Sequence, residues 1–111
     1  MKAIAALLSL ATLLPATLAG GNLPPNWWLN SLGTPISNNQ EYKDLVSGSE
    51  AQWADRHVII DFYMQGCYWC YIFQEEWNQI VTDMKEMYGD KIEFLKVDGN
   101  HVYEVSKKYQ V

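Results

Sequence analysis

The strongest hydrophobic pattern in the chain is HVIIDFYM over residues 57–64, apolar at nearly every position and rich in β-branched and aromatic residues. A near-continuous apolar run of this length predicts a central strand covered on both faces. One polar residue, Asp61, interrupts it. The period then changes. In YIFQEEWNQIVTDMKEMYG (71–89), Phe73, Trp77, Ile80, Met84 and Met87 recur at helical spacing, and Gly89 supplies a stop. KIEFLKVD (91–98) predicts the next strand. NHVYEVSKKYQV (100–111) predicts a helix capped by Asn100, with Val102, Val105 and Tyr109 facing inward.

The preceding region is less regular. NQEYKDLVSGSEAQWADR (39–56) predicts helix in two pieces, broken at Ser47-Gly48, with Ser49 and Gln52 as a capping box for the second. GNLPPNWWLNSLGTPISNN (20–39), rich in Pro, Gly and Asn, predicts an irregular extension with a short strand near Ile36 and with Trp27 and Trp28 packed on the domain.

Strand 57–64, the helix after it and strand 91–98 make one βαβ unit, an α/β arrangement in which the strands are parallel and the crossover right-handed. Both strands then end at one edge of the sheet. The segment QGCYWC (65–70) lies there, where the first strand hands over to the helix. Chemistry gathers at that edge in open α/β sheets.

The first residues follow a different pattern. MKAIAALLSLATLLPATLAG has Lys2, an apolar run from Ala3 to Leu14, then Pro15 and small residues up to Gly20. This is the layout of a secretory signal peptide cut after Ala19, and the run is short for a bilayer span, which needs about 20 apolar residues. A domain of residues 40–111 behind an extension of residues 20–39 is expected. The expected location is the secretory pathway, either the lumen of the endoplasmic reticulum or outside the cell, or the periplasm of a bacterium. No stable membrane span is expected after cleavage. The net charge of −5 argues against nucleic acid, which needs clustered Lys and Arg to neutralise phosphate.

Cys67 and Cys70 are the only cysteines, and secretion lets a disulfide between them persist. So short a loop removes little chain entropy on closing, so a structural staple is a weak reading. A redox pair is a stronger one. Cys67 falls at the start of the helix, where unpaired N–H groups and the positive end of the macrodipole favour thiolate. Cys70 lies one turn on, on the same face. Cys67 is therefore expected to attack and Cys70 to resolve. Asp61 is a candidate proton carrier for Cys70, because a carboxyl in an apolar strand holds its proton to higher pH. Its other reading is an Asp turned into a solvated gap or capping a backbone group.

Two rival readings concern the same segment. A zinc site needs four ligands, and the chain offers Cys67, Cys70, His57 and His101. His57 begins the strand whose far end leads to Cys67, some 20 Å away at about 3.3 Å per residue, so it cannot join. No metal and no organic cofactor are expected. The other rival is a docking surface built from Tyr68, Trp69 and Tyr71, since such aromatic residues dominate binding hot spots. Tyr68 and Trp69 also serve the redox reading, by lying against apolar substrate segments.

VIIDFYMQGCYWC, the helix after it, FLKVDGN and VSKKYQV together resemble thioredoxin and the thioredoxin-like domains of protein disulfide isomerases, over about residues 36–111. Asp61, Phe62, Tyr63, Cys67 and Cys70 fall on that family's pattern. The resemblance implies a thioredoxin-like fold, a redox-active Cys67–Cys70 pair and a buried proton acceptor at Asp61. It also implies that Lys96, in KVD, neighbours Asp61. The chain departs from the pattern in carrying Tyr68-Trp69 between the cysteines, Gly66 in place of a Trp, and Glu75 in place of a helix Pro. The family's cis-proline loop, β-hairpin and last helix have no counterpart up to Val111. A longer product, or a partner chain that completes the sheet, is therefore expected. The function implied is a thiol-disulfide oxidoreductase with protein thiols or disulfides as substrate. The alternative is a non-catalytic thioredoxin-like binding module or a subunit of a larger assembly.

Overall fold

The structure, a computed structural model, describes the backbone of residues 2–6 and all of residues 23–111. Four strands, β1 (Lys2–Ala6), β2 (Thr34–Ile36), β3 (His57–Tyr63) and β4 (Ile92–Asp98), form one sheet in the order β1-β3-β4-β2, with every pair parallel. Among the described residues, three α-helices accompany them: α1 (Asn39–Leu45), α2 (Tyr68–Tyr88) and α3 (Tyr103–Lys108). The α/β expectation is met, and β3-α2-β4 is the βαβ unit read from the sequence.

The apolar run of β3 is central because both of its faces find cover. Val58, Ile60 and Phe62 join Leu95 and Val97 of β4 on one face, with Val46, Trp53, Val102 and Val105 above them. Ile59 joins Ile92 and Phe94 on the other face, under Phe73, Trp77 and Val81 of α2. Successive strand residues point to opposite faces, so Asp61 and Lys96 share the α2 face with Ile59 and Phe94. They are also register partners across β3 and β4. Burying the large side chains of the two clusters stabilises the fold by roughly 1.5–3 kcal/mol each before chain entropy is counted.

Several local expectations are corrected. The apolar stripe of α2 runs through Phe73, Trp77, Val81 and Met84, whereas Ile80 and Met87 are exposed. At four-residue spacing the stripe drifts, and the face centred on Trp77 takes Val81 rather than Ile80. The second helical piece of 39–56 is absent. Turns fill it, held by Gln52 N–H to Asp44 O at 2.9 Å and Trp53 N–H to Leu45 O at 2.7 Å. Gly48 permits the change of direction with φ of 96°. Asn100 does not cap α3; Val102 occupies that position without a side-chain bond, and Asn100 N–H donates to Asp98 Oδ1 at 2.9 Å.

The Pro-rich extension is more ordered than its composition suggests. Trp27–Asn30 forms a 3-10 turn, and Asn38 caps α1 by accepting from Glu41 N–H. Of the leader expected over residues 1–19, only Lys2–Ala6 falls among the described residues, as the strand β1 on the outer edge of β3. Residue 1 and residues 7–22 lie outside them. Among the described residues no helix is long and apolar enough to cross a membrane.

Candidate active site

β3 ends at Tyr63, and a tight turn carries the chain from strand to helix. Cys67 N–H donates to Met64 O at 3.0 Å, which brings Cys67 to the N-cap of α2. There its Sγ accepts from Cys70 N–H at 3.1 Å, and its carbonyl accepts from Tyr71 N–H at 3.1 Å. The sulfur thus occupies the position that a capping oxygen takes in other helices, satisfying a donor that the helix leaves unpaired. As the N-cap of α2, this sulfur sits at the positive end of the helix macrodipole. Cys67 and Cys70 are joined as a disulfide with Cα atoms 5.2 Å apart. Both are half-buried, which keeps the pair within reach of a partner molecule.

Asp61 lies one strand residue deeper on the α2 face than Tyr63. Burial pushes its carboxyl up to about 6, against the opposing pull of the Lys96 charge. Lys96 is itself buried, and burial pulls its ammonium below the ordinary value while Asp61 pushes it back up. The two make no ion pair; the ammonium instead donates to Trp28 O at 2.9 Å and Ser31 O at 2.7 Å. Tyr63, next along the same face, is pushed up to about 12 by burial and by the charges of Asp98 and Asp61. The strand that leads into the helix-capped disulfide therefore carries a carboxyl that burial pushes up to about 6.

Aromatic side chains surround the disulfide. Tyr68 meets Trp69 edge-on at 5.7 Å and Tyr71 at 6.4 Å. A groove of about 510 Å³, mostly apolar, runs along the disulfide between Phe62, Met64, Trp69, Gly99 and Tyr103. Trp69 lines it; Tyr68 lies outside it. His101 is held by Asp98, Nδ1 to Oδ2 at 2.7 Å, and His57 stands at the opposite end of β3. No three His, Cys, Asp or Glu side chains cluster as a metal set among the described residues.

Sequence reading packed Trp27 on the domain but did not place it at the site. Its ring is buried against Tyr63 at 6.0 Å and Tyr71 at 5.8 Å, and its Nε1–H donates to Gln65 O at 2.8 Å, two residues before Cys67. The sequence signal was a Trp pair inside a Pro-rich segment, which said that the rings pack but not on what.

A search of curated proteins found no match to the chain. The sequence model of the family described as Thioredoxin matches residues 34–111, from the first residue of β2 onward and across Asp61, Cys67, Cys70 and Lys96. That span covers more than half of the chain, including β3, α2 and β4 with the cysteine pair, so this chain belongs to the thioredoxin family.

Proposed function

We propose that the protein is a thiol-disulfide oxidoreductase of the secretory pathway, with protein thiols or disulfides as substrate. A thioredoxin domain with a disulfide-bonded C-x-x-C pair supports a thiol-disulfide redox function in general. The finer reading rests on one observation, the Cys67 sulfur at the N-cap of α2 taking the Cys70 N–H. That position stabilises a negative sulfur and so favours thiolate on Cys67.

In the direction that reduces a substrate, the Cys67 thiolate attacks one sulfur of the substrate disulfide. A mixed disulfide forms and one substrate thiolate leaves. Cys70 passes its proton to the Asp61 carboxylate and attacks the Cys67 sulfur. The second substrate thiolate leaves, and the Cys67–Cys70 disulfide is restored. Two electrons pass from the protein to the substrate, whose two thiolates take up protons. Oxidation of a substrate dithiol is the same pair of exchanges run backward. Trp69, beside the disulfide in the apolar groove, and Tyr68, at its margin, are the substrate contacts in this reading.

The first test pairs two variants. Cys67→Ser abolishes dithiol–disulfide exchange, whereas Cys70→Ser accumulates a mixed disulfide on Cys67 that mass spectrometry reads. Full activity in Cys67→Ser would overturn the assignment. An unreactive wild-type pair, with Tyr68, Trp69 and Tyr71 protected on partner binding, would favour a non-catalytic binding module instead; the half-buried aromatic cluster is the observation behind that alternative.

The location follows from the leader reading. With residues 1–19 removed after Ala19, the outer edge of β3 loses β1 and takes a partner strand, from further sequence or from a partner chain. N-terminal sequencing of the secreted product is expected to begin at Gly20.

A further inference from the structure

The turn before β2 touches three parts of the site at once. Trp27 Nε1–H holds Gln65 O in the loop that delivers Cys67. The carbonyls of Trp28 and Ser31 hold the Lys96 ammonium. The far side of the turn is tied to α2: Leu32 N–H donates to Asn78 Oδ1 at 2.7 Å, and Trp77 Nε1–H to Leu32 O at 2.7 Å. Gly33 then turns with φ of 113°, close enough over β4 that a Cβ there would come 3.1 Å from Lys96 Cγ. The family match begins at residue 34, so this turn lies outside it.

We propose that the turn Trp27–Ser31 is a positioning device for the redox pair, which fixes the Cys67 loop through Trp27 and keeps the Lys96 ammonium on backbone carbonyls rather than on Asp61. The inference rests on the proposed role of Asp61 as proton carrier. Lys96 stands directly across the ladder from Asp61, and its flexible stem lets an unrestrained ammonium reach a neighbouring carboxylate. Such a pair holds the carboxyl ionised to lower pH. Two charge-assisted bonds to carbonyls compete for the ammonium. The turn contributes no ionisable side chain of its own. The other titratable groups coupled to this site are Tyr63 on its own strand and Asp98 on β4 beside Lys96, while Cys67 and Cys70 at the head of α2 are joined as a disulfide and do not titrate. On the outer side, β1 sets Ala6 opposite Asp61.

The consequence is specific. Releasing the turn frees Lys96 to pair with Asp61, and the Asp61 titration moves to lower pH by about one unit or more. The experiment is a carbon-detected NMR titration of the Asp61 carboxyl in the oxidised protein, in wild type, Trp27→Ala and the double variant Trp27→Ala/Lys96→Met. The expected result is a fall of about one unit, a tenfold change in the acid constant, in Trp27→Ala, and its reversal in the double variant. A milder route is Asn78→Ala, which cuts the bonds to Leu32 N–H and Asn30 O from a partly exposed helix position. It gives a smaller fall of the same sign that Lys96→Met also reverses. An Asp61 midpoint that does not move in either variant overturns the proposal, and so does a fall that persists without Lys96, which would mean only that water had entered. The role of Asp61 fails separately: Asp61→Asn would then leave the pH profile of exchange unchanged, whatever the Trp27 variants do to the Asp61 titration.

Discussion

Asp61 is a half-buried carboxyl whose burial opposes its charge. Its unfolded value is near 3.8 and its folded value about 6. Between those values the folded state binds more protons than the unfolded one, so stability falls as pH rises from about 4 to about 6 and stays low above that. Each unit corresponds to about 1.4 kcal/mol, and water reaching the half-buried carboxyl screens part of the total, leaving about 2 kcal/mol. Asp61→Asn is therefore expected to stabilise the protein by about 2 kcal/mol at pH 8 relative to its effect at pH 3.5. Urea unfolding at the two pH values checks this; an equal effect at both would show that the carboxyl is not the source.

At the scale of elements, α2 serves both the core and the site, and its two ends have different chemistry. The buried stripe Phe73, Trp77 and Val81 seats it on Phe94 and Ile59, with Trp77 edge-on to Phe94 at 5.7 Å. The N-terminal turn carries the disulfide. Trp77→Ala removes a ring and the N–H that satisfies Leu32 O, and is expected to cost about 3–5 kcal/mol. Ile80→Ala, on the exposed face, is expected to change stability by no more than about 0.5 kcal/mol. Chemical denaturation of both variants tests the stripe; comparable losses would place Ile80 in the core after all. The salt bridge from Arg56 to Glu93, 2.6 Å long, and the longer contact from Lys85 at 3.5 Å show how an acidic residue is accommodated on the same strand as Lys96.

For the whole molecule, the sheet edge matters most. β3 is the central strand only because β1 covers its outer side, pairing Lys2 with His57 through Ala6 with Asp61. An exposed strand edge is a template for pairing with another chain. A chain beginning at Gly20 is therefore expected to self-associate as concentration rises, whereas the chain carrying residues 1–19 stays closer to monomer. Sedimentation velocity over a concentration series distinguishes them; identical behaviour would mean that β1 does not guard the edge.

Much of the fold was legible in the order of residues. The near-continuous apolar run 57–64, interrupted by Asp61, reads as a strand covered on both faces, and the change to helical spacing after Cys70 marks α2. Parallel pairing and right-handed crossover then put QGCYWC at the productive edge with no further information. The cysteine pair and Asp61 stood out for the same reason, as polar or reactive groups in apolar surroundings. Which α2 residues face inward, the loss of the second helical piece of 39–56 and the failure of Asn100 to cap were decided by packing, which overrides local propensity when a few kilocalories of burial compete with tenths of one. The position of the Lys96 ammonium was also beyond the sequence. Residues 27, 65 and 96 are far apart along the chain, and only folding brings an indole, a loop carbonyl and an ammonium to one turn. The sequence by itself determined the chemistry available at this edge; the tertiary structure decided which charges stand beside it, because a charge acts through distance and burial, neither of which is encoded locally.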